Sequence, residues 1–334
     1  MPHVSVVIPL YNKAPYIEAG LRSVQSQSYQ NLEIVVVDDG SADGGAALVE
    51  AFNDPRIVLI RQANRGAGAA RNAGIAAAQG TWIAFLDADD IWEPDKIARQ
   101  LQAVDAYPEL VWAAAAYLRV TEDHRFENGP AVASRLFAAE GVIRDALAVL
   151  AIGGTVWTST LMVRRDVLDE VGGFDPDLRV GQDRELWVRI AIQHPRLAYI
   201  DEPLALKRRV DGSLTALSRA QGFSTAPERA RRWAEIAKAL PPDRASLLRR
   251  LARQTVELTA RREFIAGRSA RAREILRLLP TLGLGTPSWP VKLATLVPAP
   301  LLSSFLRIRS RVRRWLLRVY AGLGPAAGAS RVYR

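Results

Sequence analysis

The first 90 residues alternate between short apolar runs and helix-length segments, and this alternation constrains the fold most strongly. The apolar runs lie at residues 4–11, 32–41, 57–62 and 81–90. Helical spacing or composition marks the segments at residues 15–27, 44–52 and 66–79. Continuous apolar strands separated by helices predict a parallel sheet covered on both faces. Right-handed crossovers then predict an open, doubly wound α/β domain with ligands beyond the carboxyl ends of its strands.

Composition excludes several kinds of site. The 334 residues include no cysteine, which excludes disulfides, thiolate zinc sites and cysteine nucleophiles. With only three histidines, a multi-histidine metal site is not expected. The N-terminus lacks a basic region and a small-residue cleavage site, so it predicts a first strand and not a signal peptide. The apolar stretch at 291–306 is too short to span a bilayer. We therefore expect a cytoplasmic protein, peripheral on the cytoplasmic face of the membrane.

Five aspartates follow two of the predicted strands. Asp38 and Asp39 end the second strand, and Asp87, Asp89 and Asp90 end the fourth. Any one of them alone is explained equally well as a turn former or a helix cap. Because parallel strands end at one edge of a sheet, we expect the five to lie where a ligand binds. Crowded carboxylates repel one another, and oxygen-only ligands suit Mg²⁺ or Mn²⁺.

The usual backbone cradle for phosphate is missing from the sequence. The first strand-to-helix turn, PLYNKAP, has no glycine, and neither GxxxxGKS nor GxxxxGKT occurs. GAGAARNAG at 66–74 is similar to a dinucleotide fingerprint, but Arg71 stands where the third glycine belongs. We expect no nicotinamide or flavin cofactor. A phosphate-bearing ligand would be held mainly through a metal.

Five motifs in order carry a resemblance to a known family. VSVVIPLYN, EIVVVDDGSAD, NRGAGAARNAG, FLDADD and VGGFDPDLRVGQDRELWVRIA together resemble family 2 glycosyltransferases. The resemblance covers roughly residues 1–215. It implies a Rossmann-like GT-A nucleotide-sugar-binding domain at 1–217. The rest of the chain, 218–334, lies outside the resemblance, and its charge and helical spacing predict a mainly helical, basic extension. The resemblance also implies a metal-dependent, hexosyltransferase-type enzyme that acts with inversion, in bacterial cell-surface polysaccharide or glycolipid synthesis.

The resemblance assigns roles to residues of the donor pocket. Asp39 resembles the residue that hydrogen-bonds the nucleotide base, Arg71 looks like a donor-binding residue, and Asp87 is similar to the residue that orients the ribose. Asp89, in the same DxD motif, matches the residue that contacts Mg²⁺ or Mn²⁺. The remaining residues implied to line the nucleotide-sugar pocket are Pro9, Tyr11 and Asn12.

Inversion requires a base opposite the leaving group. Asp183, in GQDRELW, matches the family's base position, although relatives commonly have Glu where Gln182 stands. The alternative role for Asp183 is a helix N-cap, because it precedes an amphipathic run. Glu185 is the alternative base.

One position departs from the family pattern. Many relatives have a histidine late in the domain that joins the metal or diphosphate site, and Val210 stands there in this chain. Arg208 or Arg209 would contact the diphosphate by charge instead. A QxxRW motif is also missing, which favours transfer of one sugar at a time over processive synthesis.

The C-terminal part of the chain is strongly basic. From Ser218 onward, the chain has 24 lysines and arginines but only 6 acids. Residues 301–320 place apolar side chains on one face of a predicted helix and arginines on another, which is typical of interfacial membrane binding. We therefore expect an anionic membrane surface as a partner, together with a nucleoside-diphosphate sugar and a saccharide or lipid-linked acceptor. No nucleic-acid motif accompanies the charge, so nucleic acid is not expected.

Two other functions remain open from the sequence. A nucleotidyltransferase of related fold would release pyrophosphate and not a nucleoside diphosphate. A non-catalytic nucleotide-sugar-binding module would use Asp183 only as a cap. Donor hydrolysis with metal would separate the enzyme from the module.

Overall fold

The computed structural model describes residues 3–120, 126–128, 138–139, 141–153, 156–210, 224–288 and 291. Two compact units are present, Met1–Leu251 and Ala252–Arg334. The predicted amphipathic helix at 301–320 lies outside the described residues, as does the predicted domain boundary between residues 217 and 218. Both stay predictions.

The first part of the chain forms the expected alternation of strands and helices. These elements are β1 (Val4–Leu10), α1 (Ala14–Gln25), β2 (Leu32–Asp38), α2 (Gly45–Ala51), β3 (Ile57–Arg61), α3 (Ala67–Ala77) and β4 (Trp82–Phe85). Every residue of β2 is buried, as expected for a central strand between two helical layers. Helix α1 buries Ile17, Leu21 and Val24, whose spacing places them on one face. The predicted elements are confirmed to within a few residues at each end.

The rest of the first unit is less regular. It contains β5 (Ile91–Trp92), α4 (Lys96–Asp105), β6 (Trp112–Val120), β7 (Phe126–Asn128), β8 (Ala138–Ala139), β9 (Val142–Ile143), α5 (Ala146–Ala151), a 3-10 turn (Thr158–Thr160), β10 (Met162–Arg164), α6 (Arg165–Val171), α7 (Gln182–Gln193), β11 (Leu197–Arg208) and α8 (Ala226–Ile236). Helix α9 (Pro242–Ile265) begins in this unit and ends in the second.

Within the described residues, eleven strands form one sheet. Their order is β3-β2-β1-β4-β10-β6-β11-β9-β8, with β5 beside β11 and β7 beside β6. Strands β3, β2, β1 and β4 are parallel neighbours. Strand β10 runs antiparallel to both β4 and β6, while β11 runs parallel to β6. The carboxyl ends of β1, β2, β4, β6 and β11 therefore meet at one edge.

The described part of the second unit is helical, as predicted for the extension. It comprises the end of α9, then α10 (Ser269–Leu276) and α11 (Leu278–Thr281). Apolar side chains on these helices are buried, including Phe264 and Leu279. Glu263 pairs with Arg268 at 2.6 Å from carboxylate oxygen to Nε. No helix among the described residues is both long and apolar enough to cross a bilayer.

Gly80 packs so closely on β1 that a side chain does not fit. A Cβ atom there would lie 2.6 Å from the Ser5 nitrogen and 2.8 Å from the Val4 carbonyl carbon. We expect Gly80→Ala to lower the free energy of unfolding by about 1–3 kcal/mol, as overpacking does elsewhere. Urea denaturation measures this. Gly20→Ala is the control, because its nearest contact would be 3.5 Å; equal destabilisation of both variants would contradict the packing argument.

Candidate functional site

The carboxyl edge of the sheet gathers the aspartates that the sequence pattern placed there. Asp38 ends β2 in register with Leu10 of β1. The backbone nitrogen of Asp39 then donates to the Leu10 carbonyl oxygen at 2.8 Å. On the other side of β1, β4 ends at Phe85, and Asp87 follows two residues later. The edge therefore carries acids from both neighbours of β1.

Asp39 holds the loop that leads into α3 in place through hydrogen bonds. Its Oδ1 accepts hydrogen bonds from Gln62 Nε2 at 2.7 Å and from the Arg65 nitrogen at 2.8 Å. Its Oδ2 accepts from the Gly66 nitrogen at 2.8 Å. Gly66 adopts a φ of 90°, which favours glycine at this turn. Asp39 is almost fully buried, so these bonds offset the desolvation of its charge. Its role toward a nucleotide base stays a prediction.

The turn after β1 is short and polar, and it is hydrogen-bonded to the turn after β2. Tyr11 is 48% exposed. Asn12 has a φ of 49°, its nitrogen donates to Ser41 Oγ, and its Oδ1 accepts from the Ala42 nitrogen at 2.8 Å. Pro9 pairs with Val37 in the sheet immediately before this turn. All three predicted pocket residues therefore lie at the carboxyl end of β1, close to the turn after β2.

Arg71 and Asp87 form an ion pair between α3 and the end of β4. Arg71 Nη2 lies 2.5 Å from Asp87 Oδ1, and the guanidinium carbon lies 5.3 Å from the centre of the Phe174 ring. The Arg71 side chain is only 7% exposed. Two residues predicted separately as donor-binding are thus in direct contact. The partly buried pair is a preformed polar group on which a ribose or phosphate can dock.

Asp89 is paired with a lysine that the sequence analysis did not single out. Lys13 Nζ lies 2.8 Å from Asp89 Oδ2. Lys13 follows the turn after β1, directly before α1. Its ammonium also lies 5.7 Å from the centre of the Tyr16 ring. The pairing brings the turn after β1 against the DxD motif.

Asp90 is the most deeply buried acid of the motif. Its carboxylate accepts hydrogen bonds from Trp157 Nε1 at 2.8 Å, Ser159 Oγ at 2.5 Å and the Arg208 nitrogen at 3.2 Å. Burial raises the pKa of Asp90 to about 7, and repulsion from the two neighbouring carboxylates adds to that increase. These bonds connect the end of β4 to the 3-10 turn and to β11.

Lys207 lies on β11 among the charged groups of this edge. Its ammonium lies over the Trp157 ring. Burial lowers the pKa of Lys207 to about 8, while the negative charges of Asp90, Asp87 and Asp183 oppose that decrease. Helix α3 relates the predicted base to the DxD motif, because its Arg71 pairs with Asp87 and a Cβ atom at its Gly68 would lie 3.4 Å from Gln182, the residue before Asp183.

Asp183 is not the N-cap of its helix. The cap of α7 is Gly181, with a φ of 77°, and Asp183 lies in the first turn of the helix. Its Oδ1 accepts a hydrogen bond from the neighbouring Arg184 nitrogen at 2.7 Å. Glu185, the alternative base, is buried and forms a two-pronged ion pair with Arg189, at 2.9 Å and 2.7 Å. Of the two carboxylates, Asp183 is the one whose charge acts on Lys207.

The two arginines considered for the diphosphate lie at the end of β11, with Arg208 as its last residue and Arg209 directly after it. The Arg208 guanidinium lies 5.7 Å from the centre of the Tyr16 ring, on the α1 side. The Arg209 nitrogen donates to the Val120 carbonyl oxygen. The charges of Asp90, Asp87 and Asp183 act on Lys207, which precedes the two arginines. The KRR run in the sequence indicates three adjacent positive charges, but it does not predict which of them the acids influence.

The donor set of the motif fits a divalent cation that is completed by substrate oxygens. Among the described residues, no group of three or more His, Cys, Asp or Glu side chains could hold a metal by itself. Asp87 and Asp89 offer carboxylate oxygens, each now paired with a cation at 2.5 Å or 2.8 Å. Mg²⁺ typically binds through one or two carboxylates together with substrate phosphates. The residues present therefore suit a metal that arrives with a diphosphate.

The fold and this edge match a known family. The Glycosyl transferase family 2 model matches residues 5–172, just over half of the chain. The chain belongs to glycosyl transferase family 2, as its motifs predicted. It is similar to the succinoglycan biosynthesis protein ExoO of Rhizobium meliloti (strain 1021), with 49% identity over 107 residues that cover 32% of this chain and 31% of that protein. The chain spans from about a third to about half of the length of the first curated relatives it matches.

Solved structures share the fold at low identity. TarS 1–349 of S. aureus in complex with UDP-GlcNAc has a TM-score of 0.63 and 17% identity, and the match covers 92% of both chains. Mannosyltransferase PcManGT from Pyrobaculum calidifontis, in complex with GDP-Man and Mn²⁺, has a TM-score of 0.56 and 22% identity, covering 92% of this chain and 86% of that one. These likenesses confirm the predicted fold class.

Proposed function

We propose that this protein transfers a single sugar from a nucleoside-diphosphate sugar to an acceptor hydroxyl, with inversion at the anomeric carbon. One observation carries the proposal: helix α3 contacts the surroundings of both acids. Its Arg71 pairs with Asp87 at 2.5 Å, and a Cβ atom at its Gly68 would lie 3.4 Å from Cγ of Gln182, the residue before Asp183. A donor-binding acid and a candidate base thus lie on either side of one helix end at the carboxyl edge. Membership of glycosyl transferase family 2 supports the reaction class.

The donor would bind along the ends of β1, β2 and β4. Asp39 and the turn at Tyr11 and Asn12 would hold the nucleotide base, and the Arg71–Asp87 pair would hold the ribose and phosphates. Asp89 would hold a Mg²⁺ or Mn²⁺ ion, which when bound neutralises the departing nucleoside diphosphate. The Mn²⁺ complex of PcManGT supports such an ion.

Asp183 would act as the general base. The acceptor oxygen attacks the anomeric carbon from the face opposite the leaving group, and its proton passes to the Asp183 carboxylate. Glu185 is less available to an acceptor, because its buried carboxylate is held in an ion pair with Arg189. The acceptor is a saccharide or a lipid-linked saccharide in cell-surface polysaccharide or glycolipid synthesis, and the similarity to ExoO supports this pathway class.

A panel of sugar nucleotides tests the proposed function. Purified protein is incubated with each donor, Mg²⁺ or Mn²⁺ and a mixture of saccharide acceptors, and released nucleoside diphosphate is measured. Release from one donor or a small group of donors supports a glycosyltransferase. Release of pyrophosphate from a nucleoside triphosphate and a sugar phosphate would instead support a nucleotidyltransferase, and binding without turnover would support a non-catalytic module.

The basic C-terminal segment supports a membrane partner, which is a further part of this proposal. Deleting the chain from Leu301 onward is expected to release the protein from anionic vesicles and to leave donor hydrolysis intact, because arginine and apolar faces both contribute to interfacial binding. High salt should weaken the attachment only partly. Co-sedimentation of both proteins with anionic and neutral vesicles measures the effect. Unchanged lipid binding after the deletion would contradict it.

A further inference from the structure

Arg119 and Lys207 form a pair of neighbouring cations at the carboxyl edge of the sheet. The register between β6 and β11 sets Lys207 beside Arg119. Side chains at paired positions of adjacent strands point to the same face, so the two positive charges lie next to each other. The charge of Arg119 contributes to the lowered pKa of Lys207, as expected for repulsion. Like charges at adjacent strand positions cost stability unless something compensates them.

The described residues supply that compensation only in part, because Asp90, Asp87 and Asp183 act on Lys207 from beyond salt-bridge distance. Neither Lys207 nor Arg119 forms a salt bridge with a carboxylate within the described part of the chain, whereas Lys13 and Arg71 both do. The Nε atom of Arg119 is buried and has no hydrogen-bond partner there. A buried unsatisfied donor is uncommon in folded proteins and often marks a site for an ion or water. An anion would satisfy both groups.

Stabilising Asp90 is not a sufficient explanation for the pair. The Asp90 carboxylate already accepts three hydrogen bonds, from Trp157, Ser159 and the Arg208 backbone. Both cations stand near the carboxyl ends of their strands, and the Lys207 ammonium lies over the ring of Trp157, whose Nε1 donates to Asp90. The pair therefore lies at the edge of the sheet where ligands bind, beside the DxD motif.

We propose that Lys207 and Arg119 form a phosphate-binding site at the carboxyl edge of the sheet, beside the DxD motif. Its occupant is either the β-phosphate of the nucleoside-diphosphate sugar or the phosphate of a lipid-linked acceptor, and this choice rests on the proposed function. In the first case the bond between the anomeric carbon and a β-phosphate oxygen breaks, and its electron pair stays on that oxygen. The acceptor oxygen forms the new bond and gives its proton to Asp183, while the two cations stabilise the departing phosphate.

Calorimetric titrations of the full chain test the site. The probes are inorganic pyrophosphate, UDP, UMP, GDP, GMP and a short-chain prenyl phosphate in detergent, each with and without Mn²⁺. Lys207→Met and Arg119→Met remove one charge each but keep an unbranched side chain for packing. Lys238→Met is the matched control, because Lys238 is exposed and pairs only with Glu235 among the described residues. Pyrophosphate affinity should fall about 10-fold to 100-fold in the two site variants and stay unchanged in the control.

The probes separate the two sources of phosphate. Weaker UDP or GDP binding with unchanged UMP or GMP binding assigns the site to the donor's β-phosphate. Unchanged nucleotide binding with loss of prenyl phosphate binding assigns it to the acceptor. Wild-type protein that binds pyrophosphate but no nucleotide would refute the proposed donor while leaving the anion site intact.

Two outcomes overturn the inference. One is wild-type protein that does not bind pyrophosphate. The other is that both site variants bind every probe as tightly as wild type does but melt at a lower temperature. That result would make the two cations purely structural. If one variant does not fold, the other tests the same site, and Lys207→Arg should retain pyrophosphate binding because it keeps the charge.

Discussion

Replacing Asp89 with alanine is expected to reduce sugar transfer by about 10³-fold, because the variant loses the carboxylate proposed to contact the divalent cation. A cation between Asp89 and the diphosphate would stabilise negative charge that grows as the glycosidic bond breaks, so its loss should reduce kcat more than donor affinity. Initial rates at saturating donor, over a range of Mn²⁺ and Mg²⁺ concentrations, measure the effect.

Two comparison variants sharpen this test. Asp87→Ala should be milder, because Asp87 is paired with Arg71 and is proposed to orient the ribose. Asp95→Ala removes an exposed acid shortly after the motif and should leave transfer unchanged. Full activity of the Asp89 variant in the presence of a chelator would contradict the metal assignment. A large loss for Asp95→Ala would point to damage of the fold and not to a lost ligand.

Asp183→Asn should reduce transfer by about 10²-fold or more, because asparagine keeps the size of the side chain but cannot accept the acceptor proton. Donor binding should be retained, since the donor pocket is proposed to lie at the ends of β1, β2 and β4. Asparagine also keeps a side-chain oxygen that can accept the hydrogen bond from the Arg184 nitrogen in the first turn of α7, so the start of the helix should be preserved. Single-turnover transfer and calorimetric donor binding measure the two quantities separately.

Glu185→Gln is the matched comparison for the base. It neutralises the acid two residues along the same helix and breaks the buried pair with Arg189. Breaking such a pair costs stability, on the order of 3–5 kcal/mol, because it leaves a charge without its partner. We therefore expect Glu185→Gln to lower the melting temperature more than Asp183→Asn does, and to leave more transfer activity in the folded fraction. The reverse pattern would move the base to Glu185.

The sheet and its ligand edge were accessible to sequence reasoning because they depend on periodic, local patterns. Residues 34–37 of β2 form an uninterrupted apolar run, and the α1 residues Ile17, Leu21 and Val24 repeat at helical spacing. Since parallel strands end at the same edge, the positions of Asp39 and Asp87 in the chain were enough to predict that they share it.

The sequence by itself therefore determined the α/β class, the strands β1 to β4 and the edge to which the acids belong. Tertiary structure alone decided that β10 enters the sheet antiparallel between β4 and β6, and that β6 and β11 bring Arg119 beside Lys207. It also decided that Asp90 is held by Trp157 and Ser159, 67 and 69 residues further along the chain. Helical and strand periodicity arise from hydrogen bonds and side-chain directions within a few residues, and they are visible in sequence. Contacts between residues far apart arise from the packing of whole elements, which leaves no repeating pattern in the chain.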